Sequence, residues 1–130
     1  MTEANKTVVR RLVAEVLNGG RLEVIDDLYT PELAPAAKRW IAPFRASFPD
    51  VHMEILELIA EGDKVVGRFS CSATHQGTWL GHAATRRRFE RVDEVSIFRL
   101  RDRRIVYAWS LEDTLGRLCQ LGLITEHGRP

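Results

Sequence analysis

The periodicity of the apolar residues changes along this chain, and the change limits the folds that it can adopt. Up to Phe48 the apolar residues recur at the three- and four-residue spacing of amphipathic helices. From Val51 to Leu111 apolar and polar residues more often alternate one by one, as in strands that bury one face. Helical spacing returns only near the carboxyl end. This order, in which helices are followed by a strand meander and one closing helix, predicts an α+β fold.

The helical part of the pattern predicts three helices before the first strand. They cover Asn5 to Leu17, Leu22 to Tyr29, and Ala36 to Phe48. Asn18-Gly19-Gly20 supplies a stop for the first helix. Pro43 lies inside the third helix, so we expect a kink or a new helical turn there.

The middle of the chain predicts four strands that pair as an antiparallel meander. They cover Val51–Ala60, Val65–His75, Phe89–Leu100 and Ile105–Leu111. Leu115, Leu118 and Leu121 then predict a short final helix, and the polar tail Thr125–Pro130 is expected to fray. Helices on one face of a curved, mostly antiparallel sheet give a cone-shaped barrel, and we predict a single domain over residues 1–130.

The composition is that of an ordinary globular domain, with 45% hydrophobic and 28% charged residues. Nineteen basic and 18 acidic residues nearly cancel, which argues against a nucleic-acid partner. The chain has no apolar run of membrane-spanning length and no signal-peptide pattern, so we predict a cytoplasmic protein without a membrane partner. Cys71 and Cys119 belong to no metal-ligand spacing and are expected to be reduced.

Glu94 is the best candidate for a general base. It shares one face of the third predicted strand with Ser96 and Phe98, which is the mixed lining expected of a small-molecule pocket. Apolar surroundings would raise the pKa of its carboxyl group, which suits proton abstraction next to a carbonyl. The alternative is a surface carboxylate paired with Arg68 or Arg91, because one β-bulge would reverse the two faces of the strand.

Two further residues could take part in acid/base chemistry. His75 ends the second predicted strand on its apolar face, where it could act as a general acid, a general base or a hydrogen-bond donor to a carbonyl. Alternatively it satisfies a buried carbonyl in the core. Asp113 precedes the last helix and could reach the pocket, but the same position suits a helix N-cap.

Aromatic side chains could form an apolar wall around a small organic ligand. Most of them are expected in the core rather than in contact with the ligand, because so small a domain needs its aromatics for packing. The residues predicted to contact the ligand are Trp40, Phe44, Trp79, Phe98 and Trp109.

Several local motifs, in this order and spacing, resemble those of SnoaL-like polyketide cyclases, and the match spans almost the whole chain. They are Thr74-His75-Gln76-Gly77, Trp79-Leu80-Gly81, Thr85-Arg86-Arg87, and a last strand leading to Asp113 and Gln120-Leu121-Gly122. The resemblance implies a cone-shaped fold of the nuclear-transport-factor-two type, usually dimeric through the outer sheet face. It also implies that neither a metal nor an organic cofactor is used. The founding members close a ring of a polyketide ester by intramolecular aldol condensation.

The chain departs from the family pattern where the family carries its acid/base groups. Ser110 stands at the position of the family's acid/base aspartate, and Ser96 at the position of a second polar residue. A serine without a partner is not a base at neutral pH. We therefore expect Ser96 and Ser110 to contact substrate, and Glu94, His75 and Asp113 are the remaining catalytic candidates.

Two classes of function fit these observations. The first is an enzyme, a cyclase or isomerase, that performs acid/base chemistry on a hydrophobic carbonyl or ester compound. Epoxide opening is a variant that needs a dense carboxylate–arginine–carboxylate constellation. The second is a non-catalytic domain that binds a small apolar molecule or serves as a dimerisation unit. An ionisable group facing the cavity would favour the enzyme.

Overall fold

The computed structural model describes residues 2–124, and the predicted fraying tail lies outside them. The helices are α1 (Thr2–Arg11), α2 (Ile25–Leu28), α3 (Ala34–Ser47) and α4 (Thr114–Gln120); a π-helical segment, Leu12–Asn18, continues α1, and a 3-10 turn, Leu22–Val24, precedes α2. The strands are β1 (His52–Glu61), β2 (Lys64–Thr74), β3 (Arg88–Arg101) and β4 (Arg104–Glu112). Each predicted helix and strand is present, with ends shifted by a few residues.

The first helical unit ends where the sequence predicts a stop. Gly20 has a φ of 72°, a left-handed conformation that glycine adopts without strain. The Asn18 side chain bonds both backbone groups of Met53, accepting from its N–H at 2.7 Å and donating to its carbonyl at 3.0 Å. These bonds fix the end of the π-helical segment against the beginning of β1.

Pro43 does not break α3, which continues to Ser47. A proline inside a helix leaves the carbonyl four residues earlier without its usual donor. That carbonyl belongs to Arg39, which is exposed, as is Pro43 itself. Water can therefore satisfy the unpaired carbonyl.

The four strands form one antiparallel sheet in the order β1-β2-β3-β4. Its register shifts between Cys71 and Ala73 of β2, opposite Arg91 of β3, whose φ is 53°. This bulge lies before Glu94, so Glu94, Ser96 and Phe98 keep a common face from there on. That face and the apolar sides of the helices enclose the core. The predicted α+β architecture is confirmed.

No helix among the described residues is long and apolar enough to cross a membrane.

Candidate active site

A cavity of about 440 Å³ lies between the inner face of the sheet and the amino-terminal helices. Most of its wall is apolar, and its polar lining comes from a few side chains of the helices and of β3 and β4. The π-helical segment contributes Leu12, Val13 and Leu17, in keeping with the frequent occurrence of π-helical turns at functional sites. The rest of the lining is Tyr29, Leu33, Ala36, Ala37, Trp40, Phe44, Val51, Met53, Phe69, Glu94, Ser96, Phe98, Ala108, Ser110 and Glu112.

Two carboxylates face each other at one end of this cavity. Glu94 of β3 is the direct cross-strand partner of Glu112 at the end of β4. The Glu94 side chain is 13% exposed and the Glu112 side chain is 36% exposed. Like charges directly opposite on a sheet repel each other, so such a pair needs either a counter-ion or a bound proton.

The counter-ion is Arg117 of α4, whose side chain is fully buried. Its Nη2 donates to Glu94 Oε2 at 3.2 Å. Its Nη1 lies 2.7 Å from Glu112 Oε1, although out of line for a hydrogen bond, so this contact is an ion pair. With all three groups ionised, the cluster would carry one net negative charge.

Aromatic rings surround the Arg117 guanidinium. Its central carbon lies 4.7 Å from the ring centroid of Phe89 and 5.4 Å from those of Phe44 and Trp79, within the range of cation–π attraction. Arg117 does not line the cavity. It therefore binds the two carboxylates on the side away from the cavity, while their other sides face the cavity.

Burial of Glu94 raises the pKa of its carboxyl group to about 7. Repulsion from Glu112 adds to the increase, and attraction to Arg117 opposes it. A carboxyl group with this pKa exchanges protons readily near neutral pH. The pair can thus hold one proton and present both an acid and a base to the cavity.

Ser96 and Ser110 lie next to the carboxylate pair. They are cross-strand partners, and their hydroxyl oxygens are 2.7 Å apart. Ser110 and Glu112 are two residues apart on β4 and therefore share its inner face. The chain thus places a carboxylate two residues beyond Ser110 on the same face of the strand.

Six of the predicted site residues line the cavity: Glu94, Ser96, Ser110, Phe98, Trp40 and Phe44. Glu94 is paired neither with Arg68 nor with Arg91, since Arg68 pairs with Asp93 on the outer face. Trp40 is half exposed.

His75 and Asp113 require a correction, because the structure does not bring either side chain to the cavity. His75 is fully buried, and its Nδ1 accepts a hydrogen bond from the backbone N–H of Thr85 at 3.1 Å. Asp113 caps α4 by accepting from the Gly116 N–H at 2.9 Å. Asp113 therefore has the N-cap role that the sequence left open as an alternative. His75 is structural as well, but it accepts from a backbone N–H and does not satisfy a buried carbonyl as that alternative supposed.

Trp79 and Trp109 also lie outside the cavity lining. Trp79 packs against the core and stands beside Arg117. Trp109 alternates with Ser110 along β4, so it projects from the outer face of the sheet, where it is 44% exposed. The prediction that both tryptophans contact a ligand is corrected accordingly.

The sequence interpretation missed Glu112, Arg117 and Tyr29. Glu112 had a usable signal, because it lies two residues after Ser110 on the same strand face. Arg117 had none, since an arginine on a short terminal helix is normally exposed. The predicted apolar stripe of α4 is wrong in part: Leu115 is 56% exposed, and Arg117 is buried instead.

Comparison with known proteins agrees with this architecture. The family model of the SnoaL-like polyketide cyclases matches residues 7–121. Aklanonic acid methyl ester cyclase DnrD from Streptomyces peucetius is 32% identical over 108 residues, covering 83% of this chain and 72% of that protein.

Solved structures show the same fold. TsrD from Streptomyces laurentii superposes with a TM-score of 0.88 at 25% identity, covering 95% of this chain and 98% of its own. Wild-type IdmH from Streptomyces antibioticus gives a TM-score of 0.80 at 25% identity, covering 91% and 98%. The predicted fold of the nuclear-transport-factor-two type is confirmed. The chain therefore belongs to the SnoaL-like polyketide cyclase family.

Proposed function

We propose that this protein is a cyclase that closes a ring in a small hydrophobic ester or carbonyl compound by acid/base chemistry without a cofactor. The observation that carries the proposal is the cavity-facing pair of Glu94 and Glu112 on a buried arginine. A purely apolar binding pocket would have no reason to enclose a charge cluster that is costly to desolvate.

The proposed reaction uses the two carboxyl groups in turn. The ionised member takes a proton from carbon next to a carbonyl, and the electron pair becomes an enolate whose oxygen Ser96 and Ser110 can bind. The enolate carbon attacks a second carbonyl of the same molecule and forms the new carbon–carbon bond. The alkoxide produced takes the proton of the other carboxyl group. The pair then holds one proton, as before.

The test is turnover of aklanonic acid methyl ester, the ester in the name of the Streptomyces peucetius relative. Glu94→Gln and Glu112→Gln should each lower kcat by about 100-fold or more, because general acid/base catalysis contributes roughly 10²–10⁴. Glu57→Gln, an exposed carboxylate on β1, is the matched control and should leave kcat unchanged. Wild-type binding of the ester without turnover would replace the cyclase proposal with the non-catalytic binding function.

Epoxide hydrolysis is a second candidate, favoured by the arrangement of Glu94, Arg117 and Glu112. One carboxylate would activate water, and the other carboxyl group would protonate the epoxide oxygen. Incubation with styrene oxide and detection of the diol would test this reaction. The candidate fails if wild type and Glu94→Gln form the diol at the same rate.

We also propose that the outer sheet face mediates homodimerisation. Ile59, Val66, Ile97 and Trp109 lie opposite one another in a row across the sheet, and Ile59 and Trp109 are 57% and 44% exposed. Exposed apolar patches of this kind mark interaction sites. Trp109→Glu should convert a dimer to a monomer in sedimentation analysis; a monomeric wild type would refute the proposal.

A further inference from the structure

Tyr29 is a buried titratable residue that the proposed acid/base chemistry does not use. It follows α2 directly, and its backbone pairs with Ile105 at the beginning of β4. Its side chain lines the cavity, and the residue as a whole is only 2% exposed. The position is fixed by backbone pairing rather than by a flexible loop.

The Tyr29 hydroxyl has no hydrogen-bond partner within residues 2–124. Buried hydroxyl groups normally have one, because an unpaired polar group costs free energy on burial. The oxygen is also not among the sealed side-chain atoms that lack a partner, so an unpaired Tyr29 hydroxyl is open to the cavity. Burial raises the pKa of the phenol above its usual range, so it keeps its proton and remains a donor.

The backbone of Tyr29 lies toward the opposite end of the cavity from the carboxylates. Glu94 and Glu112 pair at one end of the β3–β4 ladder, whereas Leu100 and Ile105 pair near the other. The two rows are about 20 Å apart along β3 at ~3.3 Å per residue. Leu33, Phe98 and Ala108 also line the cavity, and their apolar side chains supply no acceptor.

We propose that Tyr29 donates a hydrogen bond to a second carbonyl oxygen of the substrate, remote from the reacting end. The substrate class is then an elongated molecule with an acidic C–H beside one carbonyl and a further carbonyl oxygen toward the other end. The first of these features rests on the proposed function, whereas the contact with Tyr29 is a binding interaction that does not depend on turnover.

The test uses two matched probes, 4,4′-diacetylbiphenyl and 4-acetyl-4′-ethylbiphenyl, which differ in a single carbonyl oxygen. In calorimetric titrations the diketone should bind wild type about 5–10-fold more tightly than the monoketone, as expected for one neutral hydrogen bond. In Tyr29→Phe this preference should disappear. Tyr107→Phe, which changes the other tyrosine of the chain, on the outer sheet face, is the matched control and should keep the preference.

A second readout does not require Tyr29→Phe to fold. With tyrosine labelled at the ring carbon that bears the hydroxyl, the chain gives two carbon resonances, and Tyr107→Phe assigns them. The Tyr29 resonance should move when the diketone binds, and that of Tyr107 should stay. An unmoved Tyr29 resonance, a preference that survives in Tyr29→Phe, or a wild type that binds neither probe would each overturn the inference.

The outcomes separate this inference from the proposed function. If Glu94→Gln abolishes turnover while Tyr29→Phe changes neither ligand preference nor KM, the cyclase stands and the role of Tyr29 falls. If the Tyr29 resonance responds to the diketone but no variant of the carboxylate pair affects turnover, the binding role stands and the acid/base proposal falls.

Discussion

Glu94 should make the stability of the protein depend on pH in a direction opposite to that of an ordinary ion-paired carboxylate. Its pKa is about 7 in the folded protein and 4.5 as an ordinary glutamate. Between these values the folded state binds more protons than the unfolded state, so stability falls as the pH rises. At ~1.4 kcal/mol per pKa unit, the contribution lost between about pH 4.5 and 7 is about 3 kcal/mol.

The measurement compares wild type with Glu94→Gln by urea unfolding at closely spaced pH values from 4 to about 8. Glutamine keeps the shape of the protonated carboxyl and cannot ionise. The free energy of unfolding of the variant relative to wild type should therefore increase by about 3 kcal/mol across this range. Glu57→Gln serves as the control, because its exposed side chain lies outside the cavity and takes no part in the cluster.

A difference between wild type and Glu94→Gln that stays constant with pH would refute the reasoning. It would mean that the Glu94 carboxyl titrates alike in the folded and unfolded states, so that the cavity does not hold its proton. A difference of the opposite sign would mean that Arg117 dominates the electrostatics of the pair, in which case Glu94 is a permanent anion and a weak base.

Three further predictions concern the supporting residues. Arg117→Met should cost roughly 3–5 kcal/mol at pH 8, because it leaves two carboxylates without a counter-ion. The cost should be smaller at pH 5, where Glu94 can bind a proton, and an equal loss in urea unfolding at both pH values would contradict this. Asp113→Ala should cost about 1 kcal/mol through the lost N-cap with kcat unchanged, and a changed kcat in a fully folded variant would return Asp113 to the site. His75→Ala should lower the free energy of unfolding by roughly 2–4 kcal/mol, because the Thr85 N–H loses its acceptor and a cavity forms in the core. The kcat should again stay unchanged. Loss of turnover at unchanged thermal stability would show a catalytic role for His75.

The elements of the fold could be predicted because each depends on local sequence. The change from helical to alternating spacing marks where the strands begin, and Asn18 and Gly20 mark the end of the first helical unit. The same alternation predicted the side of the sheet to which Glu94 points. A bulge within the run from Glu94 to Phe98 would have divided Glu94, Ser96 and Phe98 between the two faces, but the structure places a bulge of β3 earlier, at Arg91.

Part of the site could not be predicted, because the residues that determine it are distant in sequence. Nothing near Arg117 shows that Phe44, Trp79 and Phe89 surround its guanidinium. Trp109 is different, since local reasoning was sufficient there. Neighbouring residues of a strand face opposite ways, so Trp109 and Ser110 could not both contact one ligand.

The positions of Ser110 and Glu112 on β4 have linked physical consequences. Two residues along a strand keep the same face, so the carboxylate of Glu112 reaches the cavity beside Ser110, and it lies directly opposite Glu94. Such an arrangement is unstable unless the negative charge is compensated. Arg117 offsets one charge and leaves the other to be neutralised by a proton near pH 7. The repulsion between the two carboxylates thus contributes to the proton binding that the proposed cyclisation requires, and Ser110→Asp would add a third carboxylate and disturb that balance.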